Sequence, residues 1–303
     1  MATRPLPQAV LTSYRKMKNK IIALLTDFGT RDYFVGAMKG AMLSINESAK
    51  IVDITHEIAP QNILSASFTL SACYKDFPCG TIFVAVVDPG VGSERRAILV
   101  ETEDYFFVAP DNGLLSFLFE KSTLAHARVS AFEDSTLAHA QVSDFEDSTL
   151  AHARVSAFRV FELTNEKYFA VNLSNTFHGR DIFAPVAAHL SNGVDPSEFG
   201  REIVDYKRLE IHDDEAKIIH IDRFGNLITN LKRENLPETF ALKIGETQIE
   251  NLQEFYAEAR ASEVFMIFGS AGYLEVVAFQ DSAKEILGAE IGQKIRLELR
   301  LQA

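Results

Sequence analysis

Three things are scarce in this 303-residue chain: positive charge, cysteine and long apolar runs. Lysine and arginine number 30 against 42 acidic residues, leaving a formal net charge of −12. A nucleic-acid binder needs a basic stripe to displace counterions, and none is visible. The same deficit argues against an anionic membrane surface as partner. The two cysteines, Cys73 and Cys79, are six residues apart. That spacing fits neither a CxxC redox pair nor a zinc knuckle, and it reads as ordinary thiols in a reducing compartment. No apolar run approaches the roughly 18 residues of a membrane span. Residues 1–20 carry several Lys and Arg without the apolar stretch of a secretory signal, so the expectation is a flexible leader on a cytoplasmic protein. Met17 is an alternative start to Met1. The expected partner is a small molecule, with no nucleic acid and no membrane.

What is present is organised. Residues 21–25 form a short apolar run ending in Thr26-Asp27-Phe28-Gly29, which reads as a buried strand entering a loop. Helical spacing follows over 33–45, a strand over 51–54, a helix over 63–77 closed by Pro78 and Gly80, and a strand over 81–87. Alternating strands and helices predict an α/β domain with a mainly parallel sheet. A strand pair at 97–101 and 105–108 and a short helix at 113–120 extend it. After about residue 205 the pattern changes to short β-type runs at 216–221, 226–231, 241–244, 264–268, 273–279 and 294–299. These predict an all-β C-terminal domain, barrel- or sandwich-like. The domains are therefore placed at 21–200 and 205–303, the boundary falling in the Gly- and Pro-marked stretch 193–205.

Between them lies a tandem repeat. Residues 122–134 read STLAHARVSAFED, 135–147 STLAHAQVSDFED and 148–158 STLAHARVSAF. The period is 13. His126, His139 and His152 recur with it, but thirteen residues turn a straight helix by about 220°, so they would not share a face. The block reads as a peripheral insertion.

Three strands deliver an aspartate at their carboxyl ends: Asp27, Asp53 and Asp88. In an open α/β sheet that is where ligands bind. Such acids could hold Mg²⁺, accept ribose hydroxyls, or simply make turns. Asp88 opens the stretch Asp-Pro-Gly-Val-Gly-Ser-Glu-Arg, whose glycines let the chain turn back and bring Arg95 towards the carboxylate. His178, beside Gly179 at a helix start, is the natural acid/base candidate because its unperturbed pKa lies near neutrality. In the second domain, Asp222, Phe224, Asn226 and Ser270 stand at Gly-containing strand ends. Phe224 could stack on a base, and Asn226 and Ser270 can both donate and accept hydrogen bonds.

Seven collinear stretches together resemble the S-adenosylmethionine hydroxide adenosyltransferases: TDFGTRDYFVGAMKG, IVDITHEIAPQNI, VAVVDPGVGSERR, VAPDNGLLSFL, NTFHGRDIFAPVAAHL, IDRFGNLITNL and FGSAGYLE. The resemblance implies an α/β domain, a β domain and a homotrimer with substrate held between neighbouring subunits. It implies that Asp88, Arg95 and His178 are the set associated with water attack, and that Asp27 binds ribose. Phe177, Asp222, Phe224, Asn226, Ser270, Tyr273 and Glu275 fall where the family surrounds the rest of the substrate. No cofactor and no metal are expected, S-adenosylmethionine being the substrate. Halogenating relatives lack the acid at the Asp88 position and differ around His178-Gly179, so the intact set favours water over halide. A halide-using adenosyltransferase, a non-catalytic adenosyl-ligand sensor and a Mg²⁺-dependent hydrolase are the alternatives.

Overall fold

A computed structural model describes residues 21–119, 158–209 and 215–299. The leader at 1–20 and residues 122–157 of the repeats, including His126, His139 and His152, lie outside the described residues. The chain divides into two compact units, with the division after Leu209.

The first unit is built on a seven-stranded sheet. Its strands are β1 (Ile21–Thr26), β2 (Lys50–Thr55), β3 (Ile82–Val86), β4 (Ala97–Glu101), β5 (Phe106–Pro110), β6 (Arg159–Leu163) and β7 (Gly200–Glu202), in the order β2-β1-β3-β5-β4-β6-β7. The run β2-β1-β3-β5 is parallel, and β4, β6 and β7 continue it antiparallel. Alternation along the strands explains the unbroken apolar runs. Ile22, Leu24, Val84 and Val86 pack on one face with Met38 and Met42, while Ala23, Leu25, Phe83, Ala85 and Val87 pack on the other with Leu70. Both faces are buried, so no polar residue is needed at every second position.

The covering helices are α1 (Phe34–Ile45), α2 (Ile63–Cys73) and α3 (Ala184–Ser191). The Asn62 side chain caps α2 by accepting from the Ser65 N–H at 2.8 Å. The helix expected to reach residue 77 stops at Cys73 and tightens into a 3₁₀ turn at Tyr74–Asp76. The helix expected to start beside His178 and Gly179 is entered through a π-turn at Gly179–Phe183, which flows into α3.

Leaving β1, the chain builds β2 on one side and β3 on the other. The switch point thus lies between the carboxyl ends of β1 and β3, which deliver Asp27 and Asp88.

The second unit is antiparallel throughout its ladders. One sheet is β12 (Val264–Phe268), β13 (Tyr273–Ala278), β9 (Leu227–Lys232) and β8 (Ile218–Ile221); the other is β11 (Thr247–Ile249), β10 (Phe240–Ile244) and β14 (Arg296–Leu299). Ile218, Leu227, Leu242, Ile249, Met266 and Val276, drawn from both sheets, belong to one apolar cluster. A short helix, α4 (Ala283–Leu287), is capped by Ser282. Among the described residues no helix is long and apolar enough to cross a membrane.

Candidate active site

The loop joining β3 to β4 folds back on itself. Val91 N–H donates to the Asp88 carbonyl and Ser93 N–H to the Gly90 carbonyl, at 3.2 and 3.1 Å. Gly92 sits at φ +78°, and a Cβ there would lie 2.2 Å from the Asn175 carbonyl oxygen, so only glycine allows this approach. The turn returns Arg95 to Asp88. Arg95 Nε donates to Asp88 Oδ1 at 2.9 Å and Nη2 donates to Oδ2, a two-pronged pair. Their side chains are 6% and 5% exposed, so the pair is almost wholly withdrawn from water. The guanidinium also lies over the Phe183 ring, 5.3 Å from its centroid.

The loop that docks on Gly92 brings in His178. Arg95 Nη2 lies 2.8 Å from His178 Nδ1. A guanidinium can only donate, so Nδ1 accepts, and the hydrogen of the neutral ring sits on Nε2. Burial, then the neighbouring Arg95 charge, hold the His178 pKa below the ordinary imidazole value despite the opposing carboxylates of Asp88 and Asp181. Asp181, buried one turn on, accepts from the Ser174 N–H at 2.7 Å and from Arg180, tying down the segment that carries His178. Gly179 has Met38, Phe177 and Phe28 within 3.2–3.4 Å of where its Cβ would be.

Asp27, at the end of β1, accepts from the Gln61 N–H at 2.8 Å. Burial raises its pKa against the lowering hydrogen bond from Gln61, and the Asp88 charge adds to the rise. Phe177 is buried against Phe28, Phe34 and Tyr33, edge-on to each. Asp53 instead belongs to a separate group, paired with Lys39 at 2.6 Å and lying 3.1 Å from His56. The His56 ring is buried and its Nδ1 is 2.9 Å from Thr26 Oγ1. Sequence reasoning passed over His56, although its place directly after a strand end was visible.

In the second unit, Asp222, Phe224, Asn226, Ser270 and Glu275 line one cavity of about 840 Å³ together with Tyr256 and Phe268. Asp222 is spent on the turn itself: its carboxylate accepts from the N–H groups of Phe224 and Asn226 and from Asn226 Nδ2, at 2.8–2.9 Å. Phe224 projects 75% exposed. The Glu275 carboxylate has no hydrogen-bond partner among the described residues, and burial, then the Asp222 charge, push its pKa up to about 7. Tyr273 does not line the cavity; its ring faces Lys232. Among the described residues no group of three or more His, Cys, Asp or Glu is placed to hold a metal ion.

Fold and geometry together define an α/β protein with an aspartate, an arginine and a histidine in contact at its sheet switch point, joined to an antiparallel β domain. The model of the S-adenosylmethionine hydroxide adenosyltransferase N-terminal domain matches residues 22–151 and 147–200, and that of the C-terminal domain matches 216–296. The chain belongs to this family. It is 34% identical over 294 residues to an (R)-S-adenosyl-L-methionine hydrolase of Methanocaldococcus jannaschii, covering 91% of this chain and 95% of that protein. A fluorinase of an Actinoplanes species is 25% identical, over 72% of this chain and 74% of its own. The crystal structure of an uncharacterized conserved protein from Thermotoga maritima superposes with a TM-score of 0.73 at 31% identity, covering 91% of this chain and 99% of that one.

Proposed function

We propose that this protein hydrolyses S-adenosyl-L-methionine to adenosine and L-methionine by attack of water at the ribose 5′-carbon. The observation that carries the reading is the buried contact of Asp88, Arg95 and His178 at the switch point. In the reaction a C5′–O bond forms and the C5′–S bond breaks. The bonding pair leaves on sulfur, converting a sulfonium into a neutral thioether, so the leaving group needs no proton. The one proton to be moved is the water's.

The contacts suggest who moves it. His178 Nδ1 is occupied by Arg95, so His178 offers Nε2–H, a donor that can hold the water oxygen but cannot take its proton. Asp88 is then the acceptor. Arg95 orients Asp88 through its two-pronged contact and stabilises hydroxide character as it develops. Asp27 and Phe177 hold the ribose side. Asp222, Phe224, Asn226, Ser270 and Glu275 surround the rest of the substrate. The sulfonium and ammonium of the substrate are cationic, which suits a cavity edged by Asp222 and Glu275. S-adenosylmethionine is the substrate, and the reaction as balanced requires no cofactor.

The finer architecture belongs to the same proposal: a β domain whose two sheets close on their common apolar cluster as a sandwich, and a cytoplasmic homotrimer with sites at subunit interfaces. The deciding experiment is incubation with S-adenosylmethionine in ¹⁸O-water with chloride present, read by mass spectrometry. Adenosine carrying ¹⁸O at the 5′-oxygen, with free methionine, is the expected result. A 5′-chloro product would move the protein to the halide-using branch, bound but intact substrate would make it a sensor, and activity lost to chelator would make it a metal-dependent hydrolase.

A further inference from the structure

The loop that carries Asp88 and Arg95 leaves β3 at Val87 and enters β4 at Arg96. Between those strands the sheet places β5, so the chain running out of β5 is neighbour to both ends of the loop. The residues there are Asp111 and Asn112, and each grips one end. Asn112 Nδ2 donates to the Val87 carbonyl at 2.8 Å. Asp111 N–H donates to the Arg96 carbonyl at 2.9 Å, and the Asp111 carboxylate receives the Arg96 guanidinium through Nε at 3.0 Å and Nη2 at 2.8 Å. Both grips are braced from behind. Asp111, 1% exposed, also accepts from the Lys207 N–H at 2.7 Å, and Asn112 Oδ1 accepts from the Leu114 N–H at 3.2 Å.

We propose that Asp111 and Asn112 are positioning residues that clamp the two ends of the 88–95 loop and so hold Arg95 against His178. They do not touch the reacting group. Their effect passes through Val87 to Asp88 on one side and through Arg96 to Arg95 on the other. Asp205 adds a second grip on the Arg96 side chain, through Nη1 to its carboxylate at 2.8 Å and Nη2 to its carbonyl at 2.6 Å. Only the Asp111-Asn112 pair reaches both ends among the described residues, and the loop's internal hydrogen bonds close turns rather than anchor them. A displacement near 1 Å at such a group is enough to cost about 100-fold in rate.

The role rests on the reading of Asp88, Arg95 and His178 given above, but its test need not. Asn112→Ser keeps an oxygen for the Leu114 N–H and is too short to reach the Val87 carbonyl. A residue needed only for the turn would be served by serine. The His178 imidazole is titrated by NMR in the ligand-free protein, alongside steady-state kinetics. The expected result is a His178 pKa moved up towards the ordinary imidazole value as Arg95 withdraws, with kcat lowered about 10- to 100-fold and KM within about threefold. Asp111→Asn, which keeps the shape but removes the charge facing Arg96, decides the matter if the serine variant does not fold. An unmoved His178 titration with wild-type kcat in the folded variant would overturn the clamp. A shifted titration in a protein whose wild type releases no methionine would leave the clamp standing and sink the reaction instead.

Discussion

At the scale of single residues, the same arginine serves two acids of different kind, and that decides what each can do. Arg95 grips the Asp88 carboxylate while occupying the acceptor nitrogen of His178. Asp88→Asn removes the only base of the trio but leaves a neutral acceptor for Arg95, so the pocket is not left with a bare buried cation. We expect kcat to fall about 10²- to 10⁴-fold with KM changed little, and His178→Ala to do the same, read by methionine release at saturating substrate. A rise in KM at unchanged kcat would mean that these side chains only bind. Glu275 titrates in the opposite sense from a paired carboxylate. Between the ordinary glutamate range and about 7 the folded protein keeps a proton that the unfolded chain has released, so this group's contribution lowers stability as pH rises through that window and is level above it. Glu275→Gln should therefore raise the melting temperature relative to wild type at pH 8 and make little difference at pH 4.5. Equal shifts at both pH values would show that Glu275 is not held neutral in the free protein.

At the scale of elements, the loop between β3 and β4 and the segment before α3 form one working piece, joined where Gly92 meets Asn175. Gly92→Ala places a methyl where the Asn175 carbonyl stands, on top of a backbone conformation unfavourable to alanine. It should cost about 1–3 kcal/mol in chemical denaturation and lower kcat by parting Arg95 from His178. Unchanged stability would mean that the two segments do not depend on this contact. The halves of this piece differ in how well they showed in the sequence. Asp27 and Asp88 were legible because the apolar runs of β1 and β3 are buried on both faces and stop abruptly, leaving a carboxylate at each end. Arg95 was legible because two glycines in five residues imply a chain turning back. Asp111 and Asn112 stood inside the stretch VAPDNGLLSFL with no role assigned, because their place beside both ends of the loop comes from the strand order β3-β5-β4, which no local pattern encodes. Strands β6, β7 and β11 were missed for a related reason. The first begins directly after the repeats, and the other two are three residues long, too short for alternation to show. The π-turn at Gly179–Phe183 opens with Gly-Arg-Asp and contributes only Ile182 and Phe183 to the apolar pattern, so periodicity starts the helix at Ile182 and does not show the turn that leads into it.

At the scale of the whole molecule, the question is what a thirteen-residue unit, written twice in full and a third time two residues short, does to an enzyme of this kind. The described chain breaks off at Phe119 and resumes at Phe158, and these two rings are 5.1 Å apart. Both pack on Tyr206, at 4.1 and 6.0 Å. The ends of the excursion are thus fastened to each other and to the domain, whatever the number of repeats between them. Closing a chain between fixed ends depends only weakly on its length, and shortening it about threefold changes the closure cost by about 1 kcal/mol. Deleting residues 122–147 removes two units and joins Lys121 to Ser148, the same Lys-Ser neighbours found at the start of the first unit. We expect the shortened protein to keep kcat/KM within about threefold, to melt no lower than the full chain, and to sediment as the same oligomer, a trimer on the proposal above. Loss of activity with the oligomer intact would mean that the extra units reach the substrate. Loss of the oligomer itself would make them part of the assembly, and the duplication would then be a change to the quaternary structure rather than to a loop.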